Sequence, residues 1–136
     1  MSGFNYYKYR FCILSILCVV IFTLFVAMRD IFDEQVVATT ALAAGGVIKN
    51  QSGYLIAIHG YNSGPTQFLH IYNTTAVPAD TAVPILVIKI NGSDNFYIDT
   101  TDRGMPFTTG ISWSNSSTLV TKTAGAADIW LVAEYR

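Results

Sequence analysis

Phe11 to Met28 reads FCILSILCVVIFTLFVAM, 18 residues without a charge, in which Ser15 and Thr23 are the clearly polar members. As a helix this run spans about 27 Å at ~1.5 Å per residue, close to the roughly 30 Å hydrocarbon core of a bilayer. Lys8 and Arg10 precede it, and Tyr6, Tyr7 and Tyr9 stand where an aromatic belt would stand. Arg29, Asp30, Asp33 and Glu34 follow it. A core helix of a globular domain seldom combines so long an uncharged run with charged flanks. The pattern predicts a single transmembrane helix over residues 11–30 after a short tail at 1–10. The anchor positions are Phe11, Ile13, Leu14, Leu17, Val20, Phe22, Leu24 and Phe25, and membrane lipid is their expected partner. The basic residues ahead of the span put the N-terminus inside and the C-terminal part outside.

A cleaved signal peptide is the competing reading. Its apolar region normally runs about 7–15 residues, with a small-x-small site close behind. Here the nearest sites are Val36-Val37-Ala38 and Ala41-Leu42-Ala43, well past the run. The uncleaved anchor is therefore preferred. A pilin-like arrangement is set aside, because no acidic residue interrupts Phe11–Met28. Cys12 and Cys18 both lie in the span, about 240° apart around a helix, so they do not bridge within it.

The span does not explain the whole composition. Charged residues make up 12% of the chain, against roughly 25% in an average soluble domain. Even from Gly45 to Arg136 there are only 11 charged residues among 92. Such a surface suggests burial against neighbours. With a net charge of -1 and scattered lysines and arginines, specific nucleic-acid binding is not expected.

Beyond the span the pattern changes. Residues 31–46 read as a connector that prolongs the helix and ends at the breaker Gly45-Gly46. From residue 47 to 136 the chain reads as strands and turns. The expected strands are Val47–Asn50, Tyr54–Gly60, Gln67–Tyr72, Pro84–Ile90, Asn95–Thr100, Thr108–Ser114, Ser117–Lys122 and Asp128–Glu134. About eight short strands in roughly 90 residues predict a β-sandwich or small barrel. The long connection near Thr74–Val83, carrying Pro78, suits a Greek-key crossover. A domain this small buries a modest core, so oligomerisation is expected.

Chemistry-bearing residues are few. His59 and His70 each fall on an expected strand, without HxH or HxxxH spacing for a metal. A Ser-His-Asp set can be drawn with Asp99 or Asp102, but only geometry would make it a triad. Asp94, Asp99 and Asp102 with Asn91 and Asn95 match no calcium loop and read as solvated turns. No catalytic residue, metal site or cofactor is expected. The N-x-[ST] triplets at Asn50, Asn73, Asn91 and Asn115 read as loop composition. Tyr54, Tyr61, Tyr72, Tyr97 and Trp113 are available either as core and interface aromatics or as a stacking platform for a ligand.

Several segments carry a resemblance to a known family. They are Ala57-Ile58-His59-Gly60-Tyr61-Asn62, Gln67-Phe68-Leu69-His70-Ile71-Tyr72-Asn73 and Val77-Pro78-Ala79-Asp80-Thr81-Ala82-Val83-Pro84. Further along come Gly104-Met105-Pro106-Phe107-Thr108-Thr109-Gly110-Ile111, Ser114-Asn115-Ser116-Ser117-Thr118, Thr121-Lys122-Thr123-Ala124-Gly125-Ala126-Ala127-Asp128 and Tyr135-Arg136. In order and spacing, Gly53–Arg136 resembles a small jelly-roll-like β-sandwich of bacteriophage virion structural proteins. The resemblance implies an all-β, jelly-roll-like fold, a structural role without catalysis, and homo-oligomers, for which trimers or pentamers are the natural forms. The N-terminal span departs from that family's usual pattern. Joined to it, the resemblance implies a membrane-anchored virion protein, associated with capsid, vertex or spike proteins in a particle with a lipid layer, or displayed on the host cell membrane. The rival expectation is a cell-surface or virion receptor module that binds glycans through its aromatics.

Overall fold

The computed structural model describes residues 17–24, 33–100 and 103–136. The chain divides into two compact units, Met1–Asp33 and Glu34–Arg136.

In the first unit, residues 17–24 form a helix. Leu17, Val20, Phe22 and Leu24 lie on it and are exposed, as are Val19 and Ile21, so it is apolar and open on every side. Thr23 is the one polar residue of this stretch, and its hydroxyl donates back to the carbonyls of Val19 and Val20, both at 2.9 Å. Phe11, Ile13, Leu14 and Phe25 lie outside the described residues. Among the described residues no helix is long and apolar enough to cross a membrane.

The second unit is all-β. Its strands are β1 (Gln35–Ala38), β2 (Gly45–Lys49), β3 (Gly53–Asn62), β4 (Gln67–Tyr72), β5 (Leu86–Ile90), β6 (Asp94–Asp99), β7 (Met105–Phe107), β8 (Ile111–Ser116) and β9 (Ile129–Tyr135). They form two antiparallel sheets. The first has the order β1-β9-β3-β6, and β7 also pairs with β3; the second has the order β2-β8-β4-β5. Leu55, Ile58, Leu131 and Ala133 from the first sheet share one buried cluster with Leu69, Ile71, Ile111 and Trp113 from the second. The fold is therefore β-sandwich-like, held by apolar side chains that point from both sheets into a common core.

A bulge at Ile56 sets which side chains of β3 face that core. Leu55 pairs with Tyr135 and Ala57 with Glu134, so one residue of β3 is extra. The phase of the strand shifts there, and Leu55 and Ile58, three apart, are both fully buried. The carbonyls of Leu55 and Ile56 both accept from the Thr100 hydroxyl, so the bulge leaves them satisfied. Beyond the bulge, Ala57, His59 and Tyr61 point to the outer side.

Three local expectations give way. Residues 35–38 belong to a strand rather than a prolonged helix. Val37 packs on the core while Val36 is exposed, an alternation that pairing with β9 rewards. Gly45-Gly46 opens β2 instead of breaking the chain. A Cβ on Gly46 would sit 3.0 Å from the Trp113 indole nitrogen, so its lack of a side chain admits that ring. Residues 117–122 form a loop, not a strand. The Ser116 hydroxyl accepts from the amides of Thr118 and Thr123 and donates to the Thr118 carbonyl, which diverts the main chain from a ladder. The short β7, with Pro106 in it, takes the side of β3 away from β9, ahead of where β6 begins to pair.

Candidate functional site

The two sheets differ in what lies over their outer faces. On the second sheet the outward residues of β4 and β8 include His70, Tyr72, Ser112 and Ser114, all of them buried. Loops 73–85 and 117–128 cover them. These loops are joined by the Thr81 amide donating to the Lys122 carbonyl and the Lys122 amide to the Ala82 carbonyl, both at 2.8 Å. Lys122 also pairs with Asp80 at 2.9 Å. Thr81 is held here at a φ of 73°, unusual for a β-branched residue. The outward side of the lid carries Val83, Ile85, Leu119 and Val120, all exposed.

Under the lid runs a polar chain. The Tyr72 hydroxyl lies 3.1 Å from His70 Nδ1 and 3.1 Å from Ser114 Oγ. His70 Nε2 has no hydrogen-bond partner, although the main chain at Thr118 and Leu119 is near enough to favour the charged ring. Burial outweighs that influence and holds the imidazole below its ordinary pKa. Burial likewise pushes the Tyr72 phenol up, against the hydrogen bond from Ser114. The chain contains Ser and His but is sealed from solvent, and tyrosine stands between them. His59 lies on the outer side of the opposite sheet, so the two histidines do not meet.

The outer face of the first sheet is open. Register puts Trp130 beside Tyr61 and Tyr61 beside Asn95, one row across β9, β3 and β6. The next row holds Val132, His59 and Tyr97. The His59 and Tyr97 rings lie 6.4 Å apart, tilted by 33°. Tyr97 is 67% exposed, Trp130 40% and Tyr61 38%, so three aromatic rings reach solvent on three adjacent strands.

The aromatics singled out from sequence thus separate. Tyr61 and Tyr97 share this open face. Tyr54 is exposed at the far end of β3, where the Arg136 guanidinium sits 5.4 Å from its ring centre. Tyr72 and Trp113 are only 2% exposed, which removes them from any ligand platform and gives them structural roles. Trp130, although flanked by the apolar Ile129 and Leu131, belongs to the open face as well. The two-residue period of a strand puts Ile129, Leu131 and Ala133 on the core side of β9 and Trp130 on the other, where Val132 beside it is nonetheless buried.

Other candidates resolve into structure. Asp94 caps the Asn95 amide at 2.8 Å, and Asn91 reaches Asp94 at 3.4 Å. Asp102 lies outside the described residues. Among the described residues no three potential metal ligands group together. Asn115 is fully buried, with its side-chain amide donating to the Ala126 carbonyl, and Asn73 is engaged with Thr108 and Thr109. Compared with protein-family models, curated proteins and solved structures, the chain finds no match.

Proposed function

We propose that this chain is a membrane-anchored structural protein of a virus particle, in which a jelly-roll module is tethered to a lipid layer and packs against neighbouring proteins. The observation that carries the reading is strand order. β1-β9-β3-β6 facing β2-β8-β4-β5, with β7 as an addition, corresponds to the two interlocked Greek keys of an eight-stranded jelly roll. Capsid proteins use that architecture widely, though a fold alone does not assign a function.

Two further features support the reading. The helix at residues 17–24 is apolar on every side, as a helix facing lipid is, and Thr23 hides its hydroxyl in the helix's own carbonyls. The exposed Val83, Ile85, Leu119 and Val120 on the paired loops offer an apolar contact for another copy or for a capsid or spike protein. In this reading the N-terminus is inside and the sandwich outside the bilayer of the particle or host cell. The module assembles as a trimer or pentamer.

Alkaline carbonate extraction of membranes holding the full chain tests the anchor. The expected result is retention in the membrane pellet and release only by detergent. Release of the intact chain by carbonate would refute the anchor. Detergent-solubilised chain is expected to run as a closed oligomer by light scattering. Changing Leu119 and Val120 to serine is expected to shift it towards monomer.

A further inference from the structure

We propose that the open face of the first sheet binds neutral saccharides, with Tyr61, Tyr97 and Trp130 as stacking surfaces and His59 between them. The three rings come from three neighbouring strands. These strands cover about 10 Å at ~4.8 Å per strand spacing, room for more than one sugar ring laid across them. A pyranose presents a C–H face of slightly positive character, which suits the negative face of an aromatic ring.

Charge decides the class of saccharide. The outward positions of β3, β6, β9 and β1 on this face carry no lysine or arginine. A sialylated or sulfated glycan, a phosphate or an anionic lipid headgroup would therefore find no counter-charge. The polar groups present are neutral or acidic. Asn95 lies beside Tyr61, and Glu134 stands two residues from Val132 on β9. Their oxygens accept hydrogen bonds from sugar hydroxyls. Val132, although outward in register between Trp130 and Glu134, is only 9% exposed. The inference does not depend on the anchor or on the particle.

The full chain, kept in a detergent without a sugar headgroup, would be applied to an array of neutral, sialylated and sulfated oligosaccharides. Binding to neutral members is expected, with affinity then followed by titration of the free oligosaccharide. Tyr97→Ala and Tyr61→Ala should each weaken it at least tenfold, and both positions are exposed enough for the fold to survive. Lys89→Gln, exposed on β5 of the other sheet, should leave it unchanged. No binding to any neutral glycan would overturn the proposal, as would binding confined to anionic glycans. So would unchanged affinity in the two tyrosine variants. Loss of self-association in Tyr97→Ala without any glycan binding would assign the face to a second copy of the chain and equally overturn it.

Discussion

Removing one oxygen atom from the buried chain under the lid should cost the fold much of its stability. Tyr72 is 2% exposed, and its hydroxyl bridges His70 Nδ1 and Ser114 Oγ at 3.1 Å each. Tyr72→Phe keeps the ring and its packing but strands both partners, and each is fully buried. A buried polar group left without a partner costs about 1–3 kcal/mol. Two such groups bring the expected loss to about 2–6 kcal/mol. For a domain of this size, at roughly 4–8 °C per kcal/mol, that corresponds to a fall in Tm of about 10 °C or more. Ser114→Ala alone should be milder, because the Tyr72 hydroxyl keeps His70. Adding Ser114→Ala to Tyr72→Phe removes one stranded group, so the double variant should be more stable than Tyr72→Phe by about 1 kcal/mol. Urea unfolding of the four proteins, followed by circular dichroism, measures the cycle. A loss below about 0.5 kcal/mol in Tyr72→Phe, or strict additivity in the double variant, would refute the bridging role.

The remaining expectations follow from other parts of the second unit. Gly60→Ala should destabilise by about 2 kcal/mol or more in the same unfolding assay, because the new Cβ would lie 2.1 Å from the Trp130 carbonyl oxygen and 2.7 Å from the Phe96 ring. Trp113→Ala, at a site only 2% exposed, should cost about 3–5 kcal/mol and leave the sandwich unfolded or nearly so at 37 °C. Acid should weaken the fold through His70. Its folded pKa lies below the unfolded value of 6.5, so the unfolded chain takes up the proton first and stability falls as pH drops below about 6.5. Thermal melts between pH 7.5 and 4.5 should show a smaller acid-induced fall for a His70→Gln variant than for the parent. At the alkaline end the raised Tyr72 pKa works the other way, and melts should decline as pH climbs past about 10, where the unfolded phenol ionises first.

Much of the strand pattern was legible in the chain. Gln67–Tyr72 was placed to the residue, and six other strands lie within a few residues of their expected ends, because β-branched runs between Gly, Pro, Asn and Asp clusters report on local conformation. What failed did so for long-range reasons. Residues 35–38 have a composition that tolerates helix, and only the β9 edge makes them a strand. Ser117–Lys122 holds the β-formers Thr118, Val120 and Thr121, yet the Ser116 hydroxyl and the partner loop at Thr81–Ala82 capture it. Among the aromatics, Trp113 stands between two serines in the sequence and Trp130 between Ile129 and Leu131, yet burial runs the other way. One is sealed between sheets and the other faces solvent.

By itself the sequence determined that an uncharged N-terminal run precedes a charge-poor β unit, since hydrophobic length, alternation and turn chemistry are local properties. Tertiary structure alone decided which faces of the sheets are covered. Strand pairing, one bulge at Ile56 and two loops folded over the second sheet assign each outward side chain to lid or solvent. These are contacts between residues tens of positions apart, and no local pattern encodes them. For that reason His70 and Tyr72 became a sealed polar chain while Tyr61, Tyr97 and Trp130 became an open surface.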